Sequence, residues 1–181
     1  MGSFYTNITL RGPTRPEVLR AVEGRRAYLS PTREKQTVVY DAVCEEQDPA
    51  ELEALARRLS LELSCTALAV LNHDDDVLMC WLYQDGVQVD VYNSAPDALE
   101  GGEAPPFGGD PEALTEAFAG DPDAVERVLR SRDERFLFAL ARHRELARAL
   151  RLPECSIGFG YGYAARGEAP NSLHRAELTE V

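Results

Sequence analysis

The pattern of apolar and polar positions in the first half of the chain switches between two periods. Apolar side chains at every second position predict strands, and apolar side chains three or four positions apart predict helices. The predicted order is strand, helix, strand, strand, helix, strand and then a two-stranded hairpin. These elements fall at residues 3–10, 16–24, 26–30, 36–43, 48–63, 66–71, 77–83 and 87–92.

The second helix has the clearest start signal. Asp48 can accept hydrogen bonds from the free backbone N–H groups of the first turn, and Pro49 has no N–H to leave unpaired. Apolar residues then recur at helical spacing, at Leu52, Leu55, Ala56, Leu59 and Leu63. The helix therefore carries one apolar stripe that can cover a sheet.

The order of the first six elements matches the ferredoxin-like βαββαβ arrangement. In that arrangement the fourth strand lies at an edge, but residues 66–71 are apolar at almost every position, which indicates an interior strand. A hairpin that turns at Asp85 and Gly86 and pairs onto this strand resolves the conflict. We therefore predict a largely antiparallel sheet in the order 2-3-1-4-5-6, with both helices on one face.

The second half of the chain is mainly helical. Glycine, proline and acidic residues predict a long loop, Asp-Pro pairs at 110 and 121 predict two helix starts, and residues 135–150 predict a third helix that Pro153 ends. We expect one α+β domain over 1–170, which consists of a sheet-rich half, the loop, a helical part and a last glycine-rich strand, followed by a polar tail. These parts are residues 1–92, 93–109, 110–152, 153–164 and 171–181.

Acidic residues dominate the middle of the chain. The 181 residues include 31 acidic and 19 basic side chains, for a formal net charge of -12. Between residues 41 and 120, eighteen acidic side chains accompany only two basic ones. Such a surface repels phosphate backbones, so it disfavours nucleic-acid binding and suits a basic protein partner. The same acidity also keeps a protein in solution.

Several sequence features predict the compartment. No apolar run is long enough to span a membrane, and the N-terminus lacks the basic and apolar segments of a signal peptide. The four cysteines lie far apart, without the spacing of structural zinc sites, and are typical of small buried thiols in a reducing compartment. We expect a cytoplasmic protein without a membrane segment.

The most polar stretch is Asn72-His73-Asp74-Asp75-Asp76, between two apolar strands. Because carboxylates and imidazole bind divalent cations, His73, Asp74 and Asp76 are candidate metal ligands, and His73 and Asp75 are candidate catalytic residues. However, the stretch lacks the glycine of a calcium loop, and in an extended segment alternate side chains point in opposite directions. A structural hairpin turn is one alternative. The other is a negative knob that presents Asp74 and Asp75 to a protein partner.

His143 falls on the apolar stripe of the third helix of the second half. A buried imidazole must be hydrogen-bonded, and its surroundings shift its pKa. His143 is therefore a candidate general base if a carboxylate from another element reaches it. The alternative is a core histidine with structural hydrogen bonds.

Residues 157–163 alternate glycine with large side chains. In a strand this pattern places Tyr161 and Tyr163 on an aromatic face and a row of glycines on the other face. The glycine spacing is not the dinucleotide fingerprint. A glycine face allows close packing against a helix or the approach of a flat ligand, in which case the two tyrosines belong to a ligand or partner surface.

Motifs of serine hydrolases, P-loop proteins and zinc proteases are absent from the sequence. The stretches SFYTNITLRGP, SPT followed by TVVYD, and ALAVLNHDDDVL resemble a group of small uncharacterised bacterial proteins of unknown function. The resemblance continues over RHRELARALRLP and the glycine-rich stretch. It implies a bacterial, cytoplasmic origin and no particular activity, cofactor or site residue.

Together these patterns predict a non-enzymatic binding protein, which uses its acidic middle segment to engage a protein partner as an immunity or regulatory protein does. No cofactor is expected in that case. The alternative is a metal-dependent or acid/base enzyme that uses the Asn72–Asp76 loop, a divalent metal and His143. A small-molecule binder built on the aromatic and glycine-rich stretch is a third hypothesis.

Overall fold

The computed structural model describes residues 2–98, 102, 104–133, 136 and 138–181. Within them, eight strands form one sheet: β1 (Tyr5–Arg11), β2 (Ala27–Leu29), β3 (Gln36–Asp41), β4 (Thr66–His73), β5 (Val77–Gln84), β6 (Val87–Asn93), β7 (Phe107–Gly108) and β8 (Thr179–Glu180). The same residues form six α-helices: α1 (Arg15–Ala21), α2 (Pro49–Glu62), α3 (Pro111–Phe118), α4 (Pro122–Arg130), α5 (Ala139–Ala149) and α6 (Tyr161–Ala165). None of the helices described is long and apolar enough to cross a membrane.

The strands lie in the order β7-β6-β5-β4-β1-β3-β2-β8, and neighbouring strands are antiparallel. The predicted order of the first six strands is therefore confirmed. β4 pairs along its length with β1 on one side and with β5 on the other. This interior position explains why its residues are apolar on both faces.

The sheet is the middle layer of three. On one face, α1 and α2 contribute Val18, Leu52 and Leu59 to a buried cluster, as the prediction of two helices on one face requires. On the other face, α3, α4 and α5 cover β4 and β5. A third cluster, which includes Tyr40 and Phe159, covers β2 and β3 on that second face.

Three hairpin turns have a left-handed backbone at both central positions. These turns centre on Glu34 and Lys35, on Asp74 and Asp75, and on Asp85 and Gly86. Such type I′ turns match the twist of the flanking strands, and glycine, asparagine and aspartate fit them best. The predicted turn at Asp85 and Gly86 is confirmed. Glu34 and Lys35 have no such preference and are strained in their turn.

Several arginine side chains donate hydrogen bonds to backbone carbonyl oxygens. Arg142, which is buried on α5, donates hydrogen bonds to the carbonyl oxygens of Val128 and Ser131 at the end of α4. A cation at a helix C-terminus is stabilised by the free carbonyls and by the helix dipole. Other arginines that donate to backbone carbonyls are Arg11, Arg15, Arg33, Arg57, Arg58 and Arg130. Much of the arginine content therefore serves the fold.

Two predicted boundaries in the second half need correction. α5 begins at Ala139 because Phe138 is extended, with φ -100° and ψ 130°, whereas the predicted helix began at residue 135. Residues 135 and 137, in the first turn of the predicted helix, lie outside the described residues. The predicted loop at 93–109 contains the short strand β7, and residues 99–101 and 103 of it are also outside the described residues.

The predicted last strand at 153–164 is wrong. A 3-10 turn at Glu154–Ser156, an irregular segment and α6 occupy this region. Gly158 has φ 67°, which lies outside the strand region and interrupts the alternation. The side-chain amide of Asn7 donates to the carbonyl oxygens of Ser156 and Phe159, at 2.7 and 3.0 Å. A side chain of β1 therefore satisfies backbone groups that a neighbouring strand would otherwise bind.

Residues 171–181, which the sequence predicted to be a polar tail, belong to the packed structure. Leu173 and Leu178 are buried, and β8 pairs with β2 at the edge of the sheet. The N–H of Val181 also donates to the carbonyl oxygen of Ala27, at 3.0 Å. The segment is ordered because the open edge of β2 offers it backbone partners.

Candidate functional site

The acidic turn, residues 73–76, joins β4 to β5 at one end of the sheet. The N–H of Asp76 donates to the carbonyl oxygen of His73 at 3.0 Å, and the two residues between them are left-handed. Asp74 and Asp76 are exposed, whereas Asp75 is half-buried. Two carboxylates of the turn are therefore in solvent, while the middle one contacts the protein.

The N-terminal segment packs against this turn. The N–H of Gly2 donates to Oδ1 of Asp74 at 3.1 Å, and the N–H of Asp75 donates to the carbonyl oxygen of Ser3 at 3.1 Å. The ring of Phe4 meets the imidazole of His73 edge to face, with 5.0 Å between the ring centroids. These contacts hold the turn in one conformation.

Asp75 links the turn to α5. Its Oδ1 accepts the N–H of Leu140 at 2.7 Å, and its backbone oxygen accepts the N–H of Ala139 at 2.7 Å. α5 has no capping side chain of its own, because Phe138 occupies the N-cap position. The carboxylate of Asp75 therefore caps α5 from another part of the chain, where the helix dipole also favours a negative charge.

His143 lies in the core behind the turn. Its side chain is fully buried, and its Nδ1 is 2.7 Å from the hydroxyl oxygen of Tyr5. Tyr5 is the strand partner of Asn72, so the histidine and the acidic turn lie at the same end of the sheet. The other ring nitrogen, Nε2, has no hydrogen-bond partner among the described residues.

Burial shifts the pKa values of both His143 and Tyr5. It lowers the pKa of His143 to about 4, so the imidazole is neutral at pH 7. Burial also raises the pKa of Tyr5 well above its usual value. General acid/base catalysis requires contact with the proton that is transferred, and a fully enclosed ring has no such contact with a molecule in solution. His143 and Tyr5 therefore form a hydrogen bond inside the core.

The predicted catalytic and metal-binding side chains do not converge. The Asp75 carboxylate caps α5, and Nδ1 of His73 lies 3.3 Å from Oε1 of Gln47. In the part of the chain that the structure describes, no three or more histidine, cysteine, aspartate and glutamate side chains are placed to hold a metal ion. His73, Asp74 and Asp76 are therefore not gathered into such a site.

Tyr161 and Tyr163 lie on α6, which contacts β1 and β2. Tyr161 is half-exposed beside Tyr28 on β2, and the guanidinium of Arg26 donates to its hydroxyl oxygen at 3.3 Å. The ring of Tyr163 stacks on Phe159, with 5.7 Å between centroids. The two tyrosines thus do not form the single aromatic face that a strand would present.

Glu45 explains the glycines at 160 and 162, although the sequence pattern did not point to it. Its carboxylate accepts the N–H of Thr6 at 3.2 Å and the N–H of Gly162 at 2.9 Å. A Cβ at Gly160 would collide with Oε2 of Glu45, and a Cβ at Gly162 would lie 3.0 Å from Oε1. Burial raises the pKa of Glu45, although these backbone hydrogen bonds oppose the shift. The glycine row therefore leaves room for an internal carboxylate.

Comparison of the chain with protein-family models, with curated proteins and with solved structures finds no match. The resemblance to a group of small bacterial proteins therefore stays a prediction.

Proposed function

We propose that the protein is a non-enzymatic binding protein that engages a basic protein partner through the acidic turn. The supporting observation is a pair of exposed carboxylates in a fixed turn that two exposed aromatic residues adjoin. Phe4 is 42% exposed and Phe138 is 60% exposed, and both adjoin the turn. We call Phe4, Asp74, Asp76 and Phe138 the turn surface.

Phe4 and Phe138 reach the turn through different contacts. Phe4 packs against His73, and Phe138 directly precedes Ala139, whose N–H donates to the backbone oxygen of Asp75. A carboxylate beside an aromatic ring suits an arginine or lysine of a partner, because the cation can pair with the carboxylate and lie over the ring. Aromatic residues are also enriched at protein interfaces.

The charge of the turn surface is available to a partner. No ion pair described in the structure involves Asp74, Asp75 or Asp76. The hydrogen bonds to Gly2, Ser3 and α5 fix the turn before binding, which reduces the entropy lost on association. The surrounding acidic segment would also speed the approach of a basic partner and repel nucleic acids.

We extend the proposal to the setting of the protein. All four cysteines are free and buried, which suits the reducing cytoplasm of a bacterium. The β4-β1-β3-β2 order, together with α1 and α2 on one face, supports a ferredoxin-like unit to which β5 and β6 are added. The proposal assigns no cofactor and no catalytic role to His73, Asp75 or His143.

The test is capture of a partner by the immobilised protein from a bacterial cytosol at low salt. We expect a basic protein to bind at an ionic strength of about 0.05 M and to be released near 0.5 M, because salt screens exposed charges. The double variant Asp74→Asn and Asp76→Asn should weaken binding by about tenfold or more, since each charged contact contributes roughly 1 kcal/mol. Asparagine suits the left-handed position 74, so the turn is kept.

The matched control is Glu112→Gln with Glu116→Gln, two exposed positions on α3 that remove the same charge elsewhere. We expect this pair to change the affinity less than about twofold, through general screening alone. Equal weakening by both pairs would show that only the overall charge matters. Failure to capture any partner at low salt would reject the proposal.

A further inference from the structure

We propose that the cavity between the β2–β3 turn, the end of α5 and the C-terminal segment binds a zwitterionic α-amino acid with an apolar side chain. The cavity has a volume of about 300 Å³, at the lower end of the range for small-molecule sites. It lies apart from the acidic turn, on the β3 side of β1. The inference is therefore independent of the proposed protein partner.

Gln36 lines this cavity and carries a buried acceptor without a partner. Its side chain is 5% exposed, and its Nε2 donates to the carbonyl oxygen of Arg151 at 2.9 Å, which fixes the orientation of the amide. Its Oε1 has no hydrogen-bond partner among the described residues. A buried oxygen without a donor is costly, and this oxygen is enclosed, so Gln36 is a polar part of the wall and not the ligand's contact.

The rest of the wall presents charges of both signs and apolar surface. Arg151, Glu34 and Glu154 line the cavity, are exposed, and take part in no ion pair described in the structure. Arg151 can bind a carboxylate, whereas the two glutamates can bind an ammonium group. The apolar part of the wall consists of Pro31, Leu152, Pro153 and Leu173.

Two of the charged wall residues stand where glycine would be less strained. Arg151 has φ 55° and follows the C-cap of α5, and the N–H of Leu152 donates to the carbonyl oxygen of Ala147 at 2.8 Å, as in a Schellman motif. Glu34 has φ 49° in a type I′ turn. Both positions favour glycine or asparagine, so glycine can replace either residue without straining the backbone.

Arg33 also lines the cavity and is held by two contacts. Arg33 pairs with Glu177, with 2.7 Å between Nη2 and Oε1, and also donates to the carbonyl oxygen of Ser172 at 3.4 Å. The guanidinium of Arg33 is thus paired with a carboxylate of the protein. Arg151 has no such partner among the described ion pairs, so we assign it to the ligand carboxylate. An amino acid fits this distribution because it carries one charge of each sign on neighbouring atoms.

The first experiment is calorimetric titration of the full chain with leucine, phenylalanine, methionine and valine. We expect at least one to bind with a Kd below about 1 mM and to raise the melting temperature. For leucine, 4-methylpentanoate lacks the ammonium group and 3-methylbutylamine lacks the carboxylate. Each analogue should bind about tenfold more weakly than leucine or worse, since a charged hydrogen bond is lost.

The second experiment separates binding from stability. Arg151→Gly should weaken binding by about tenfold or more while the melting temperature stays equal or rises, because glycine relieves the left-handed strain. Lys35→Gly is the control, since Lys35 has φ 62° in the same turn as Glu34 but does not line the cavity. This variant should keep full affinity, as should the Asp74→Asn and Asp76→Asn double variant.

Three results would overturn the inference. They are no binding of any of the four amino acids at about 10 mM, equal affinity for an analogue that lacks one charge, and unchanged affinity in Arg151→Gly. None of them bears on capture of a protein by the turn surface, so the two proposals fail separately.

Discussion

At the scale of single residues, His143 shows how a polar side chain can be buried and only half satisfied. One ring nitrogen shares a hydrogen bond with Tyr5, and the other has no partner among the described residues. The apolar stripe on α5 predicted that this residue would be buried. It could not identify Tyr5 as the partner, because Tyr5 lies on β1, at the other end of the chain.

The depressed pKa of His143 makes the stability of the protein sensitive to acid. The imidazole titrates near its ordinary pKa of 6.5 when unfolded and near 4 when folded, so the unfolded state binds more protons between these values. The stabilisation is complete above pH 6.5 and is lost as the pH falls towards 4. We expect unfolding in urea to reveal a loss of about 2–3 kcal/mol from this group between pH 7.5 and 4.5.

The variant His143→Gln isolates this effect, because glutamine does not titrate and the other groups are unchanged. The difference in unfolding free energy between the wild type and the variant should shrink as the pH falls through the same window. Parallel pH profiles for the two proteins would contradict the assignment.

At the scale of elements, the segment around α6 is shaped by a carboxylate from elsewhere in the chain. Glu45 accepts backbone N–H groups from Thr6 and Gly162, and Gly160 leaves room for its Oε2. Gly160 has φ -141° and ψ -174°, an extended conformation that alanine also adopts. A methyl group there is therefore opposed by the carboxylate and not by the backbone conformation.

This geometry gives a double-mutant cycle. Gly160→Ala should lower the unfolding free energy by about 1–3 kcal/mol, because the Glu45 carboxylate must give up hydrogen bonds to make room. In the Glu45→Ala background the same change should cost less than about 1 kcal/mol, since the collision is gone. Urea unfolding of the four proteins measures both steps. An equal cost in the two backgrounds would refute the contact.

α5 depends on another element in the same way. The sequence before it offers no capping residue at Phe138, and the structure supplies the cap from Asp75 in the acidic turn. The sequence predicted a helix start at residue 135 and gave no sign that Asp75 caps the helix at Ala139. The turn and the helix are consequently positioned together, which brings Phe138 beside the exposed carboxylates.

At the scale of the whole molecule, the last residues close one edge of the sheet. β8 pairs with β2 through Tyr28↔Glu180 and Leu29↔Thr179, and the N–H of Val181 donates to Ala27. An unpaired edge strand exposes backbone donors and acceptors to other chains. β8 therefore protects β2 as well as adding contacts to the core.

Removal of residues 179–181 should lower the unfolding free energy by about 1–2 kcal/mol, because backbone hydrogen bonds and the packing of Val181 are lost. It should also increase self-association, which light scattering after size-exclusion chromatography measures. The control Glu180→Gln keeps the strand and should remain as monodisperse as the wild type. A truncated protein with wild-type stability and size would show that β8 does not protect the edge.

The sequence by itself determined the elements of the first half, the strand order from β2 to β6 and the side of the sheet that α1 and α2 cover. It could do so because these features follow from local periodicity, turn residues and the need to bury β4 on both faces. Only the tertiary structure decided the conformation of residues 153–181, the cap of α5 and the contacts of His143 and Glu45. Those features depend on hydrogen bonds between residues far apart in the chain, and such partners leave no periodic pattern in the sequence.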